Sequence, residues 1–209
     1  MKRPLRLWGY WRSSTSYRVR IALNLKGLAF ETVPVNLLER AHKAEGYVAR
    51  NPHGSVPMLE ADGQTLVQSL AIIDWLEAHY PTPTLWPTEH HQLCRELYYA
   101  VATELHAPLN PPLLKMAFAD DAEAKADYYA RVIDRTFAPV EQRLAGLGGD
   151  GLPFGQPTAF EVVLIPQLYN ARRFKVPLDG YPNILRTEQA ALALDAFKAA
   201  HPSKQKDAQ

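Results

Sequence analysis

The pattern of apolar residues changes at a proline-rich stretch, residues 80–87, with the sequence YPTPTLWP. Before it, short runs of alternating apolar and polar residues, which predict strands, are interspersed with segments of helical spacing. After it, only helical spacing recurs. Because proline cannot continue a helix, the stretch ends the preceding helix and stiffens the connection. The sequence therefore predicts an α/β domain at 1–80, a linker at 81–87 and an all-α domain at 88–209.

The composition is that of an ordinary globular protein. The chain has 209 residues, 47% of them hydrophobic, which is enough to bury a sizeable core in one or two domains. A net charge of +1 gives no electrostatic reason to expect nucleic acid or a membrane surface as partner. No signal peptide is evident, and no apolar run approaches the roughly 20 residues of a membrane span. We therefore expect a cytoplasmic protein.

Cysteine and histidine give no indication of a metal site. The single cysteine, Cys94, excludes an intramolecular disulfide and a cysteine-based metal cluster within one chain. It lies in a predicted helix, where an ordinary buried thiol is a simpler interpretation than a nucleophile. The histidines show no ligand-like spacing beyond the adjacent His90 and His91. No metal is predicted.

Hydroxyl and cationic side chains gather where the first predicted strand, residues 4–10, is followed by a helix. Lys26 and Gly27 mark the end of that helix. The candidates for its N-cap are Ser13, Ser14, Thr15 and Ser16. Free backbone N–H groups and the positive end of the helix dipole favour an anion or a thiolate there. Ordinary helix capping is the simpler alternative.

The rest of the first domain is predicted as a second strand at 29–35, a short helix at 44–50 and a β-hairpin turning at Asp62-Gly63. Pro57 cannot donate to a strand ladder, so it belongs at the start of the third strand. A cis bond before it would turn the N–H and C=O of Val56 outward, toward an extended, peptide-like ligand. The sequence does not determine the isomer. Residues 68–69 (QS) then open an apolar helix at 70–80.

The second domain is predicted to be helical throughout. Helices are expected at 88–105 and at 122–144, the latter kinked at Pro139. A glycine-rich loop at 146–157 leads to Thr158 and Glu161, whose spacing predicts a capping box. A last helix is expected at 185–200, and the polar tail 201–209 is expected to fray.

The order of these elements and a series of short motifs resemble the zeta class of glutathione transferases, which includes the maleylacetoacetate isomerases and the bacterial maleylpyruvate isomerases. The motifs are RSSTSYRVRIAL at 12–23, NP at 51–52, VP at 56–57, QSLAII at 68–73, YPTP at 80–83, IPQ at 165–167 and ARRFKV at 171–176. Together they extend over nearly the whole chain. The resemblance implies a thioredoxin-like α/β N-terminal domain, an all-α C-terminal domain and a homodimer in which the first domain of one chain packs on the second domain of the other.

The resemblance also implies a glutathione site on the first domain. Ser14 matches the serine of the family that activates the thiol, and Ser13 is its nearest competitor. A hydroxyl donor at a helix N-terminus lowers the thiol pKa from about 8.5 and so raises the thiolate fraction. The other residues that match glutathione contacts are His42, Val56 with Pro57, Gln68 and Ser69. As alternatives, His42 is a solvated loop histidine and Ser69 only caps its helix.

The substrate implied by the resemblance is a dicarboxylate with a cis double bond conjugated to a carbonyl. Thiolate addition turns that bond into a single bond, and rotation followed by expulsion of the thiolate gives the trans product. Fixed cations suit the two carboxylates. Arg12 beside the thiol site and Arg173, which matches the family's substrate-orienting arginine, are the candidates. Thr15, which occupies a position that is cysteine in many zeta enzymes, is also predicted to contact the substrate. Arg18 and Arg20 are expected to pair with acids structurally, with ligand contact as the alternative.

Residues 104–112 (ELHAPLNPP) depart from the family pattern, which resembles DIHPLNN. Either Ala107 is an extra residue after His106, or the register is kept and the histidine is lost. A helix can absorb an insertion as a π-bulge. His106 and Asn110 are predicted to contribute to the glutathione pocket.

Three functions remain open at this point. The first is a glutathione-dependent cis-trans isomerase of maleylacetoacetate-type dicarboxylates in aromatic amino-acid breakdown. The second is a transferase of the same fold that conjugates glutathione to small electrophilic acids or dehalogenates them, which the altered 104–112 segment favours. The third is a non-catalytic member that binds glutathione or a protein partner. The intact Ser14, Gln68 and Ser69 argue against the third.

Overall fold

The computed structural model describes residues 4–147 and 151–208. The chain forms two compact units. The first is Met1–Thr84 together with Leu194–Gln209, and the second is Leu85–Ala193. The division into domains at residues 80 and 88 stays a prediction, and the C-terminal residues 194–208 pack with the first unit. Of the predicted loop at 146–157, residues 148–150 lie outside the described part of the chain.

The first unit contains a four-stranded mixed sheet. Its strands are β1 (Leu5–Gly9), β2 (Phe30–Pro34), β3 (Met58–Ala61) and β4 (Gln64–Val67). The strand order is β2-β1-β3-β4, with β2 parallel to β1 and the other two pairs antiparallel. The alternating pattern predicted for β1 is confirmed, because Leu5 and Leu7 are buried while Arg6 and Trp8 on the other face are half-buried.

The β3–β4 hairpin confirms the turn predicted from Asp62-Gly63. Ala61 pairs with Gln64, so the loop has two residues. Both have positive φ, 47° at Asp62 and 83° at Gly63. Two successive residues in the left-handed region form the turn whose twist matches that of the flanking strands, and Asp-Gly is a preferred sequence for it.

The helices of the described residues follow the predicted order with some differences in their bounds. They are α1 (Ser14–Leu25), α2 (Glu45–Val48), α3 (Ser69–His79), α4 (His91–Tyr99), α5 (Pro111–Phe118), α6 (Ala122–Leu144), α7 (Ala159–Arg173), α8 (Pro182–Ala193) and α9 (Asp195–Ala200). In the first unit, α1 approaches β1 closely. A Cβ at Gly9 would lie 3.0 Å from the Ser16 Oγ, so glycine permits this approach. No described helix is both long and apolar enough to cross a membrane.

The C-terminal segment differs from its prediction in two ways. The single helix expected at 185–200 is wrong, because Leu194 has extended backbone dihedral angles and separates α8 from α9. The expected fraying of the tail is also wrong. A 3₁₀ turn forms at Pro202–Lys204, and the Asp207 carboxylate accepts a hydrogen bond from the Trp11 N–H at 3.1 Å. These contacts fasten the tail to the segment preceding α1.

The second unit is helical, as predicted, and the helix expected at 88–105 begins at His91. It is α-helical only at α4 and then continues as a π-helix at Ala100–Leu105. The amide of His106 accordingly donates to the carbonyl of Val101, five residues earlier. The predicted capping box at Thr158 and Glu161 is confirmed at the start of α7. Together with the mixed sheet of the first unit, these helices confirm the predicted fold class.

Candidate active site

The N-terminus of α1 carries the predicted hydroxyl cluster. Ser13 is the N-cap, with extended φ and ψ of −69° and 122°, and its Oγ accepts a hydrogen bond from the Ser16 N–H at 3.2 Å. The Ser13 and Thr15 hydroxyl oxygens lie 2.9 Å apart. Thr15 also lies 3.0 Å from the carbonyl oxygen of Val56. The cluster therefore links the start of α1 to the loop that precedes β3.

The direction of each hydrogen bond in this cluster follows from which of its groups can donate. A carbonyl oxygen can only accept, so the single hydroxyl proton of Thr15 points to Val56. Thr15 then accepts in its contact with Ser13, and the Ser13 hydroxyl is the donor. Both hydroxyl protons are thus used inside the protein. The predicted substrate contact of Thr15 stays a prediction, with its donor already engaged by Val56.

Ser14, the first residue of α1, differs from both neighbours. Its side chain is half-buried, and no described residue hydrogen-bonds its hydroxyl. The proton is therefore available to a ligand at the positive end of the α1 dipole. Arg12, two residues before Ser14 in the chain, is half-buried, and its guanidinium carbon lies 5.2 Å from the centre of the Trp11 ring. Among the described residues, no carboxylate pairs with Arg12.

Hydrogen bonds to two backbone carbonyl groups fix the loop before β3. The Tyr47 hydroxyl and the amide of the fully buried Asn51 both donate to the Ser55 carbonyl at 2.7 Å. The Val56 carbonyl is held by Thr15, and the Val56–Pro57 bond is cis. The backbone N–H of Val56 has no acceptor in the described part of the chain. The loop thus presents one N–H group and leaves a carbonyl lone pair beside it.

His42 and Lys43 lie in a 3₁₀ turn, Ala41–Lys43, against the same loop. A Cβ at Gly54 would lie 3.0 Å from the Lys43 Nζ and 3.1 Å from the His42 carbonyl oxygen. The Nδ1 atom of His42 is buried and has no hydrogen-bond partner among the described residues. Burial, followed by the charges of Lys43 and Arg40, lowers the pKa of His42, so the ring is neutral at neutral pH.

The N-terminus of α3 brings together Gln68 and Ser69. Gln68 has φ of 69° and ψ of 114°, a conformation that L-residues rarely adopt, and its side chain is exposed. Ser69 is buried, and its hydroxyl accepts a hydrogen bond from the Arg18 guanidinium at 3.4 Å. Arg18 is itself only 1% exposed, so a buried cation reinforces the positive helix end. This arrangement suits a carboxylate ligand.

Arg20 has a structural role in the first unit. Its side chain is buried, and it donates to the carbonyls of Ala200 and Trp11, both at 2.9 Å. The sequence led us to expect acidic partners for this arginine. Its guanidinium donates to carbonyl groups at the ends of neighbouring segments, including the C-terminal end of α9, and the pairing with acids stays a prediction.

In the second unit, His106 follows directly after the π-helix. Its Nδ1 lies 3.1 Å from the Nε2 of Gln167, which is only 2% exposed. Because the amide nitrogen carries the protons, Nδ1 accepts and the neutral ring carries its proton on Nε2. Asn110 is exposed and precedes α5 as its N-cap residue, but its side chain makes no capping hydrogen bond.

The two arginines at the end of α7 differ in their partners. Arg172 pairs with Glu188, whose side chain is buried. Arg173 is exposed, donates to the Asn170 side chain at 3.2 Å and lies over the Phe174 ring. Arg172 is therefore used structurally, whereas the Arg173 head group remains at the surface of this unit.

Other reactive groups do not form a second site. In residues 4–147 and 151–208, no three His, Cys, Asp or Glu side chains lie close enough together to hold a metal ion. Burial raises the pKa of the Cys94 thiol to about 11, so this cysteine stays protonated and inert at neutral pH.

Comparisons with known proteins identify the family. The model of the glutathione S-transferase N-terminal domain matches residues 3–78. A maleylacetoacetate isomerase of Rhizobium meliloti (strain 1021) is 42% identical over 206 residues, covering 96% of this chain and 97% of that protein. The chain belongs to the zeta class of glutathione transferases. A solved maleylpyruvate isomerase of that class superposes with a TM-score of 0.92 at 39% identity, covering 98% and 100% of the two chains.

A second solved structure in this zeta class contains a relevant ligand. The maleylacetoacetate isomerase of Anaeromyxobacter dehalogenans 2CP-1, 38% identical with a TM-score of 0.87, covers 99% of this chain and 94% of its own. Its active site contains dicarboxyethyl glutathione and citrate. The predicted membership of the zeta class is thus confirmed.

Sequence reasoning about this zeta-class transferase missed several residues that shape the site. Tyr47 and Asn51 hold the Ser55 carbonyl, and Gln167 orients His106. The Asn51-Pro52 pair offered one signal, because Asn side chains bond nearby backbone groups in turns. Gln167 is part of the IPQ motif, but its partner is 61 residues away in the chain, which no local pattern reveals.

Proposed function

We propose that this protein is a glutathione-dependent cis-trans isomerase of maleylacetoacetate-type dicarboxylates. The observation that carries the proposal is the Ser14 hydroxyl at the N-terminus of α1, whose proton has no acceptor among the described residues while the Ser13 and Thr15 protons are engaged. The family membership and the adduct of glutathione with a dicarboxylate in a relative support the same conclusion.

The residues of the first unit fit glutathione. The free Val56 N–H, with its carbonyl beside it, suits the backbone of a cysteinyl residue. Ser69 and Gln68 at the start of α3, backed by the Arg18 cation, suit the γ-glutamyl carboxylate. His42, with its unpartnered Nδ1, suits the glycyl end. In the second unit, His106 and Asn110 are assigned to the cofactor by resemblance only.

Bound glutathione supplies a thiolate that adds reversibly to the cis double bond, permits rotation about the resulting single bond and is regenerated when the trans product leaves. The Ser14 hydroxyl donates a hydrogen bond to the sulfur, and the α1 dipole adds positive potential. Both effects lower the thiol pKa. Arg12 in the first unit provides a cation for a substrate carboxylate. Arg173 in the second unit is assigned the same kind of contact.

The test is isomerisation of maleylacetone with and without glutathione, by wild type and by Ser14→Ala. We expect fast turnover that requires glutathione without consuming it and that falls by about 10²- to 10³-fold in the variant, the range seen when one key hydrogen-bond donor is removed from an active site. Turnover independent of glutathione, or undiminished in Ser14→Ala, would refute the proposed mechanism.

A second function is favoured by one observation. The π-helix at Ala100–Leu105 leads into the segment that departs from the family pattern, in which Pro111 and Pro112 begin α5. A changed substrate segment fits a transferase that conjugates glutathione to small electrophilic acids or dehalogenates them. Thiol consumption on a chloro acid without isomerisation of maleylacetone would establish this alternative.

We further propose a homodimer, a cytoplasmic location and a role in aromatic amino-acid breakdown. The homodimer and the pathway rest on membership of the zeta class. The free thiol of Cys94 is compatible with a compartment in which thiols are kept reduced. Sedimentation equilibrium of the purified protein tests the dimer, and growth on tyrosine after deletion of the gene tests the pathway.

A further inference from the structure

We propose that Thr15 is a positioning residue of the thiol site, which sets the separation between the Ser14 hydroxyl and the Val56 peptide group. The inference rests on the proposed function, because both groups are assigned to one cysteinyl residue of glutathione. Thr15 itself contributes no donor to the ligand, since its proton goes to the Val56 carbonyl.

Ser55 and Val56 precede Pro57, and both of their carbonyls are held. Ser55 accepts from Tyr47 and Asn51, which belong to the segment leading into the loop. Val56 accepts from Thr15, 41 residues away in the chain. Thr15 is therefore the hydrogen-bond link between this loop and the N-terminus of α1.

Ser14 and Thr15 are consecutive in the first turn of α1, so their relative positions are fixed by the helical backbone. Fixing the Thr15 oxygen on the Val56 carbonyl therefore also fixes the Ser14 hydroxyl relative to the Val56 N–H. One ligand residue must meet both groups, through its sulfur and through its backbone. Small errors in such a separation are costly, because binding and thiolate formation both depend on it.

Ser13 also contacts Thr15. Its hydroxyl donates to Thr15 and its oxygen accepts from the Ser16 N–H, so Ser13 holds the Thr15 oxygen from the other side. The Thr15 hydroxyl thus accepts a hydrogen bond from Ser13 and donates one to the Val56 carbonyl. A threonine hydroxyl suits this place well because a thiol is a weaker hydrogen-bond donor and acceptor.

The experiment uses two ligands and three variants of the full-length protein. The ligands are glutathione and γ-glutamyl-2-aminobutyryl-glycine, in which a methyl group replaces the thiol. The variants are Thr15→Val, which removes only the hydroxyl, Thr15→Ser, which keeps it, and Ser14→Ala. Calorimetry gives the Kd of each ligand, thiolate absorbance against pH gives the pKa of bound glutathione, and thermal denaturation reports folding.

We expect Thr15→Val to weaken both ligands by about 3- to 10-fold, the effect of losing one hydrogen bond, and Thr15→Ser to restore both to within about twofold of wild type, since the same bond is kept. Ser14→Ala should instead raise the thiol pKa and leave the thiol-free ligand bound as tightly as in wild type. A Kd unchanged in Thr15→Val, with only the melting temperature lowered, would reduce Thr15 to a structural role.

Two further outcomes would also overturn the inference or its basis. If Thr15→Val raises the thiol pKa as much as Ser14→Ala and leaves the thiol-free ligand unaffected, Thr15 donates to sulfur directly and the positioning role is refuted. If wild type binds neither ligand, the proposed function fails, and this result is distinct because it does not involve a variant.

Discussion

The Nε2 atom of the buried Gln167 lies 3.1 Å from the Nδ1 of His106. The amide is a donor, so it fixes the neutral histidine with its proton on Nε2. In Gln167→Glu the carboxylate can only accept, so we expect Nδ1 of His106 to carry a proton in this variant. Nitrogen-15 NMR of His106 distinguishes the two forms. A wild-type ring protonated on Nδ1 alone would contradict the assignment, and Gln167→Leu is the control that removes the hydrogen bond of the amide.

Ser13 and Ser14 form a matched pair for a second prediction. Ser13→Ala removes the N-cap acceptor of α1 and should lower the free energy of unfolding by about 1 kcal/mol. Its proton is used by Thr15, so the pKa of bound glutathione should change little. Ser14→Ala should raise that pKa by about one unit, since it removes a hydrogen bond to the charged form, and should leave unfolding almost unchanged. Equilibrium denaturation and thiolate absorbance measure both quantities. A larger pKa change in Ser13→Ala than in Ser14→Ala would reverse the assignment.

The sequence could predict features whose determinants are local. Asp62-Gly63 fixed the β3–β4 turn because both residues tolerate positive φ. The bounds of α6, Ala122–Leu144, were predicted correctly from helical spacing that continues across Pro139. The capping box was predictable because its two members, Thr158 and Glu161, are three residues apart.

Features that depend on residues far apart in the chain could not be predicted from the sequence. Asp207 orders the tail by accepting from the Trp11 N–H, 196 residues away in the chain. Whether Ser13 or Ser14 has a free proton depends on the Val56 carbonyl, so the motif at 12–16 alone left it open. The π-helix before His106 was foreseen only as one way to absorb an insertion, because local spacing does not separate it from an α-helix.

The backbone of Gln68 supports a third prediction. Its φ of 69° with ψ of 114° lies in a region that favours glycine, and such strain costs on the order of 1–3 kcal/mol. Gln68→Gly should therefore unfold with a free energy about 1 kcal/mol higher than Gln68→Ala, which keeps the strain. Both variants should bind glutathione more weakly than wild type, because both lose the side-chain amide. Denaturant unfolding and calorimetry measure the two effects, and an alanine variant more stable than the glycine variant would count against strain at this position.

Lys43 supports a fourth prediction about the glycyl carboxylate of glutathione. Its ammonium lies against Gly54, beside His42, which is neutral at neutral pH, so Lys43 supplies the positive charge there. Lys43→Met should raise the KM for glutathione by about tenfold, as expected for losing a hydrogen bond between charged groups. Glutathione blocked as its glycyl ethyl ester should bind wild type and variant equally. Lys204→Met, an exposed lysine of the same unit outside the predicted site, is the control and should have the wild-type KM.

Glu161 supports a prediction about pH. It is fully buried, and burial raises the pKa of its carboxyl from 4.5 to about 7, against the opposing hydrogen bonds from Thr158. The folded state therefore binds the proton more tightly than the unfolded state. It follows that the stability from this group is fully present below pH 4.5 and is lost as pH rises toward 7. The difference in pKa corresponds to at most about 3 kcal/mol.

Glu161→Gln keeps the shape of the side chain but cannot ionise, so it should lack this pH dependence. We expect the free energy of unfolding of wild type, relative to Glu161→Gln, to decrease between pH 4.5 and 7 and to level off above that range. Denaturant unfolding at intervals of pH measures the difference, and other titrating groups cancel because both proteins contain them. Parallel curves for the two proteins would show that Glu161 is ionised in the folded state throughout this range, held by the N–H and hydroxyl of Thr158, which both donate to its Oε2.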